Sequence, residues 1–162
     1  MFSTRKVEKY NKKLFVFEFL DLFQGGFKTE RERQLLVNFI KEHNKERNTF
    51  YVLEMDNKSM GMVSLKFNNI NNNPTLDIDY LFVHNNYRKK KFEILGDKTI
   101  SQFLLAFTIG VIAPKIKNLV KFRYISLYPD KQSKKLLQYY LKLIPNSFEL
   151  KHNKESWILL KI

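Results

Sequence analysis

The sequence predicts an α/β (α+β) layer fold, one sheet with helices packed on it, and three observations carry that prediction. Stretches that alternate with period two, such as Leu76, Ile78, Tyr80 and Phe82, are interleaved with stretches at helical spacing, such as Leu136, Leu137, Tyr140, Leu141 and Ile144. The two kinds follow one another in mixed order rather than in separate blocks, which is the pattern of a layered fold. The 162 residues, 44% hydrophobic and 15% aromatic, suffice for one well-packed core and are too few for two ordinary ones, so residues 1–162 read as a single domain.

The elements follow in order. Phe2 to Val7 reads as a short edge strand. Tyr10 to Phe23 is dense in aromatics and stops at Gly25-Gly26, where glycine can take positive φ; it is assigned as a helix, with a strand as the alternative because Phe15, Phe17 and Phe19 also alternate. Thr29 stands three residues before Glu32, a capping-box pattern, and Leu35, Leu36, Phe39 and Ile40 form one apolar face, so a second helix runs from about Thr29 to His43. Phe50 to Met55 and Met60 to Phe67 are strands joined by a tight turn at Asp56-Asn57-Lys58. Asn68 to Pro74 reads as a polar loop, and Leu76 to Val83 as the next strand.

Arg88 to Lys91 are four consecutive cations, placed by this reading at the mouth of a long apolar helix. In that helix Ile100, Phe103, Leu104, Phe107 and Val111 recur at helical spacing, and Pro114 closes it. Phe122 to Tyr128 is a further strand, Pro129-Asp130 a turn, and the amphipathic helix through Tyr140 ends at Pro145. Ser147 to Leu150 and Ser156 to Ile162 are two final strands.

The formal net charge of +13 implies attraction to an anionic partner, although the richness in Asn, Ile and Phe is also what an AT-rich coding sequence gives without selection for binding. Lys outnumbers Arg, which tilts against base-specific reading of nucleic acid, since Arg makes the bidentate contacts. There is no cysteine, which removes disulfides, thiolate ligands and a cysteine nucleophile. His43, His84 and His152 are isolated and read as surface or capping residues, so no metal site is expected. Leu14 to Phe23 is too short and too charged, with Glu18 and Asp21, to span a membrane. A soluble cytoplasmic protein is the expectation.

The stretch from Leu76 to Lys98 is the chemical centre of the sequence. A strand that feeds a basic loop and a helix N-terminus builds a phosphate site, because unpaired helix N–H groups and the macrodipole favour anions there. Two carboxylates, Asp77 and Asp79, share the strand face opposite Tyr80 and Phe82. If close and poorly solvated they would raise one another's pKa. Asp77 reads as a solvated sheet residue.

The order of elements, together with Tyr80-Leu81-Phe82-Val83-His84-Asn85-Asn86-Tyr87-Arg88-Lys89-Lys90-Lys91, resembles the GNAT family, the Gcn5-related N-acyltransferases. Ile125-Ser126-Leu127, the helix with Tyr139-Tyr140 and the C-terminal Trp157-Ile158-Leu159-Leu160 support the resemblance, which covers the chain from about Thr29 onward. It implies a mixed, mostly antiparallel sheet of six to seven strands, splayed between strands four and five and flanked by about four helices. It also implies acetyl-coenzyme A, or another acyl-coenzyme A, as co-substrate, a small-molecule or peptide amine as acceptor, and no metal.

The implied pyrophosphate loop follows a pattern of Arg or Gln, two residues, Gly, one residue, then Gly or Ala. Placed without gaps, Arg88 takes the first position, and Lys91 and Glu93 fall where glycines are expected. A second placement makes Gly96 the final small residue, with Asp97-Lys98 opening the helix. The residues implied for the cofactor are Leu81, Phe82, Val83, Arg88, Lys89, Lys90, Lys91, Phe92 and Gly96, with the lysines compensating for the absent glycines.

For chemistry the resemblance implies Tyr140, with Tyr139 as the neighbouring alternative, as the acid on the leaving thiolate. Asp79 is the base on the amine, with Glu54 a further candidate. The Asn and Ala of the family's usual helix start, and the Gly-Phe after it, are absent around Gln132, Ser133 and Pro145. The alternative reading is an inactive basic module of the same fold that contacts RNA, ribosome or another anionic partner. The shape of Tyr10 to Asn44 and of the Asn68 to Pro74 loop would decide acceptor selectivity.

Overall fold

A computed structural model describes residues 2–7, 12–43 and 48–162. The strands are β1 (Phe2–Val7), β2 (Thr49–Met55), β3 (Lys58–Ile70), β4 (Asn73–Val83), β5 (Lys91–Phe92), β6 (Lys98–Thr99), β7 (Tyr124–Leu127), β8 (Phe148–His152) and β9 (Glu155–Lys161). The helices are α1 (Lys12–Leu22), α2 (Glu30–His43), α3 (Ile100–Phe107), α4 (Ala113–Lys117) and α5 (Lys134–Leu143). Seven strands form the main sheet in the order β1-β2-β3-β4-β7-β9-β8, and β5 and β6 form a separate ribbon. The expected mixed, mostly antiparallel sheet is present, with β1 at an edge as predicted. β4 and β7 pair in parallel from Thr75 opposite Tyr124 to Ile78 opposite Leu127, while β4 itself runs on to Val83. β4 thus outruns its parallel partner at the place where a splay of the fourth and fifth strands was expected.

The chain divides into two compact units, the first holding the residues up to Ser64 together with Tyr80–Leu104, the second Leu65–Asp79 and Leu105–Ile162. In the first unit α1 is a helix because its apolar residues serve a core at helical spacing. Val16, Phe19 and Phe23 are buried, whereas Phe17 is 54% exposed, so the alternation of Phe15, Phe17 and Phe19 has no sheet to serve. The Phe19 ring packs 5.2 Å from Phe50 of β2, and Phe23 packs edge-on 5.0 Å from Phe82 of β4. Tyr10, where the helix was expected to begin, and Asn44 lie outside the described residues. In the second unit Leu76, Ile78, Ile125, Leu127, Ile158 and Leu159 of the sheet are buried, as are Ile112, Ala113 and Leu137.

Two expectations need correction. The polar loop at Asn68 to Pro74 is strand at both ends, because Asn71 and Asn72 take φ of 51° and 65° and turn the chain in two residues. Two consecutive left-handed residues match the twist of the flanking strands, and Asn tolerates that region better than most side chains. Asp56-Asn57 and Asn153-Lys154 turn the chain in the same way.

Pro114 does not close the long helix. Thr108–Ile112 forms a π-helical turn, and Pro114 opens α4, carrying the helical path to Lys117. A widened turn accommodates a ring that would clash with the carbonyl four residues back in a regular helix. The stretch Ile100–Lys117 is long and apolar enough by composition to cross a membrane. Leu104, Leu105, Thr108, Ile112 and Ala113 are nevertheless buried within the protein.

Candidate active site

The end of β4 and the segment after it belong wholly to the first unit. Phe82 is buried, Leu81 and Val83 are half-buried, and the strand is pinned by the Met60 carbonyl, which accepts from the His84 N–H at 2.9 Å. Beneath it Gly61 leaves no room for a side chain. A Cβ there would stand 2.8 Å from the Phe82 carbonyl oxygen and 2.9 Å from the Ile100 side chain, so β3, β4 and the start of α3 meet at contact distance.

His84 is 8% exposed, a buried residue rather than the expected surface one, though its capping role holds. Its Nδ1 accepts from the Asn86 N–H at 3.2 Å and its ring bonds the Gln24 backbone, while the Asn85 N–H donates to the Gly26 carbonyl at 2.8 Å. A Cβ on Gly26 would lie 2.3 Å from the imidazole. Burial, against the Gln24 bond, pushes the imidazole below its ordinary value, and Arg88 adds to that. A neutral ring with both nitrogens engaged ties the α1–α2 turn to the exit of β4.

Arg88 does not point a free guanidinium at a ligand. It forms a bidentate pair with Glu32, Nη1 to Oε2 at 2.9 Å and Nη2 to Oε1, and its Nε donates to the Val83 carbonyl at 2.8 Å. The guanidinium also lies 5.5 Å over the Phe82 ring. Glu32 is the acidic member of the predicted capping box, since its own N–H donates to Thr29 Oγ1 at 3.1 Å and its Oε1 accepts from the Lys28 N–H at 3.3 Å. The Arg88 hydrogen bonds hold the Glu32 carboxyl below the usual carboxylate range, against the opposing effect of burial.

The loop is thus bolted to the N-terminus of α2. Arg88→Ala is expected to lower stability by about 1.5–3 kcal/mol, the range for hydrogen bonds to charged groups, and Arg88→Lys to recover only part of it, because an ammonium cannot replace the fork. The folded pKa of Glu32 is depressed, so this stabilisation is present above about pH 4.5 and is lost as pH falls through the folded value. Thermal melts at neutral and acid pH measure both effects, and equal melting curves for parent and variant would contradict the clamp.

Lys89, Lys90 and Lys91 are exposed, with Lys89 in the left-handed region at φ 62°. They do not stand at the mouth of the helix. Lys91-Phe92 pairs with Lys98-Thr99, Gly96 turns the intervening segment at φ 69°, and Phe92 is half-buried. Asp97-Lys98 therefore belongs to the ribbon, and α3 begins at Ile100. Thr99 and Gln102 cap that helix reciprocally, the Gln102 N–H donating to Thr99 Oγ1 at 3.3 Å and the Thr99 N–H to Gln102 Oε1 at 3.0 Å. The T-x-x-Q pattern was visible in the sequence and marks this start.

The second unit holds the predicted acid and base. Tyr140 is half-buried on α5, its ring edge-on to Tyr139 at 5.4 Å, and Tyr139 is 46% exposed. Burial raises the Tyr140 phenol above its ordinary value, and Tyr139 and Asp130 add to the shift, so the group keeps its proton at neutral pH. The Asp79 side chain is 8% exposed, with one carboxylate oxygen 4.0 Å from Lys66 Nζ.

Asp77 is not the solvated residue expected. It is 2% exposed, with Oδ1 2.9 Å from Ser126 Oγ, which itself lies 2.8 Å from Thr75 Oγ1, and with Oδ2 3.5 Å from Asn68 Nδ2. Its pKa is raised to about 7, chiefly by burial; Asp79 adds to the shift, and the Ser126 and Asn68 bonds and Lys66 oppose it. The sequence pointed to coupling between the two carboxylates, but burial is the larger cause.

Comparisons with known proteins agree with this architecture. A family model described as "Acetyltransferase (GNAT) family" matches residues 15–92, a segment that ends at the ribbon after the basic loop. Among solved structures, AtaTR bound with AcCoA is 13% identical with a TM-score of 0.67, over 99% of this chain and 92% of that one. AtaT complexed with acetyl-methionyl-tRNAfMet is 12% identical with a TM-score of 0.65, over 99% and 95%. The PaiA N-acetyltransferase from Thermoplasma acidophilum in complex with coenzyme A is 15% identical with a TM-score of 0.54, over 100% and 99%. A search of curated proteins by sequence found no match. Residues 15–92 thus match the GNAT family's model, and the chain as a whole shares its fold with solved GNAT acetyltransferases.

Proposed function

We propose that the chain is an acyl-coenzyme A dependent N-acyltransferase that moves an acetyl group directly to an amine. The observation that carries the reading is the β4 exit. A strand running past its parallel partner leads into a clamped loop that presents Lys89, Lys90 and Lys91 to solvent, inside the segment that matches the family. The bound coenzyme A of the structural neighbours supports it.

In this reading Lys89, Lys90 and Lys91 neutralise the cofactor phosphates, while Leu81, Phe82 and Val83 offer backbone to its pantetheine arm. Phe92 and Gly96 shape the ribbon beside them. Arg88 acts by holding the loop to Glu32 rather than by touching phosphate. The co-substrate supplies a thioester. Asp79 takes the proton of the amine, whose nitrogen forms the new bond to the acyl carbon as the carbon–sulfur bond breaks. Tyr140 gives its phenolic proton to the leaving thiolate, and burial of the phenol keeps that proton available.

A second reading has its own support. Arg88 is committed to Glu32 and the two loop glycines are absent, which favours a basic module of this fold that no longer binds the cofactor. Calorimetric titration with acetyl-coenzyme A separates the two. Binding that weakens about tenfold or more when Lys89, Lys90 and Lys91 become Ala is expected, since each lost charge removes roughly half a kcal/mol or more. No heat at millimolar acetyl-coenzyme A would overturn the acyltransferase reading.

A further inference from the structure

The solvent face of α5 carries a pattern that core packing does not require. Lys135, Gln138, Tyr139 and Lys142 are all exposed and stand at i, i+3, i+4 and i+7, so they share one side of the helix. The residues from Lys131 to Phe148 include no Asp or Glu. Lys134 and Lys135 occupy the first turn, where the helix macrodipole disfavours cations, so helix stability does not account for them. Tyr139 is 46% exposed yet held edge-on against Tyr140, an aromatic face presented to solvent in a defined orientation.

A cleft of about 490 Å³ continues this surface toward the β8–β9 hairpin, lined by Lys134, Gln138, Glu149, Lys151 and Lys154 among others. Among the described lining residues the acid is Glu149, and it is engaged by Ser156 at 2.6 Å and by Lys151 at 3.4 Å.

We propose that the α5 face with this cleft docks a single-stranded RNA segment that carries the acceptor amine, an inference that rests on the acyltransferase reading. Lysines at spacings along a helix meet successive phosphates, and an exposed aromatic between them stacks an unpaired base. Lys in place of Arg makes the contact sequence-tolerant. The exposed side of α5 has no aliphatic side chain to enter a bilayer, which disfavours a lipid surface. An aminoacyl ester at an RNA terminus joins a primary amine to such a strand, and the exposed Tyr139 is the sequence neighbour of the proposed acid Tyr140.

The test is fluorescence anisotropy of an end-labelled single-stranded RNA oligonucleotide across a salt series. Affinity should fall as salt rises, and a Lys135→Ala/Lys142→Ala variant should reduce the slope of log affinity against log salt by about 1.4, two single-strand phosphates' worth. Tyr139→Ala should weaken binding about fivefold or more and leave the slope unchanged, because stacking is not electrostatic. With aminoacylated tRNA and acetyl-coenzyme A, the double lysine variant should raise KM for the tRNA and leave kcat in place.

A flat salt response, variants that bind RNA like the parent, or capture by phosphatidylserine vesicles without RNA binding would overturn the docking surface. Failure to acetylate aminoacylated tRNA while RNA and acetyl-coenzyme A both bind would overturn the acceptor assignment alone. RNA binding without any acetyl-coenzyme A binding upholds the surface and overturns the acyltransferase reading beneath it.

Discussion

A Tyr140→Phe variant is expected to turn over about a hundredfold more slowly than the parent while binding acetyl-coenzyme A equally well. The phenol is half-buried and its pKa raised by that burial, so at neutral pH it holds a proton that a phenylalanine cannot supply. Loss of a positioned general acid commonly reduces rate by about 10²–10⁴. The ring stays, so packing on α5 is preserved and the melting temperature should hold. Steady-state kinetics with calorimetry separates the outcomes. A fall in kcat at constant cofactor affinity supports the assignment, whereas an unchanged kcat transfers the role elsewhere, with a matching Tyr139→Phe variant to show whether the exposed neighbour carries it.

Asp77→Asn should remove a pH dependence of stability that the parent displays. The Asp77 carboxyl titrates near 3.8 when unfolded and at about 7 when folded. Between those values the folded state holds a proton that the unfolded state has released, so stability falls as pH rises through that window. The full effect is on the order of 4 kcal/mol, from a shift of roughly three units at 1.36 kcal/mol each. Asparagine keeps the shape and the hydrogen bond to Ser126 and has no proton to lose. The variant's melting temperature should therefore exceed the parent's at pH 8 and match it near pH 4. Glu32 works in the opposite direction and only in acid, its contribution disappearing below about pH 4.5. An equal decline in both proteins between pH 4 and pH 8 would place the titrating group elsewhere.

Much of the layered order was legible because it is written in local periodicity. The alternation along Leu76 to Phe82 and the helical spacing of Ile100 to Phe107 are each set by the geometric repeat of a single element. The capping boxes at Thr29 and Thr99 lie within four residues and depend on nothing distant. Only the first was read, and missing the second put the loop cations at the helix mouth. The Asn71-Asn72 turn was misread because an Asn-rich run serves a polar loop and a tight hairpin alike, and the choice is made by the strands on either side.

What the amino-acid order decides alone is therefore the succession of strands and helices, the basic loop after β4, and the position of Tyr140 on a helix after the parallel strand. The tertiary structure decides what those residues do. Arg88 becomes a clamp because Glu32, 56 residues earlier, comes within hydrogen-bonding distance. Asp77 becomes a buried acid of raised pKa because Ser126, 49 residues later, and Asn68 close around it. Charge pairing and desolvation are sums over neighbours in space, and spacing along the chain holds no record of them.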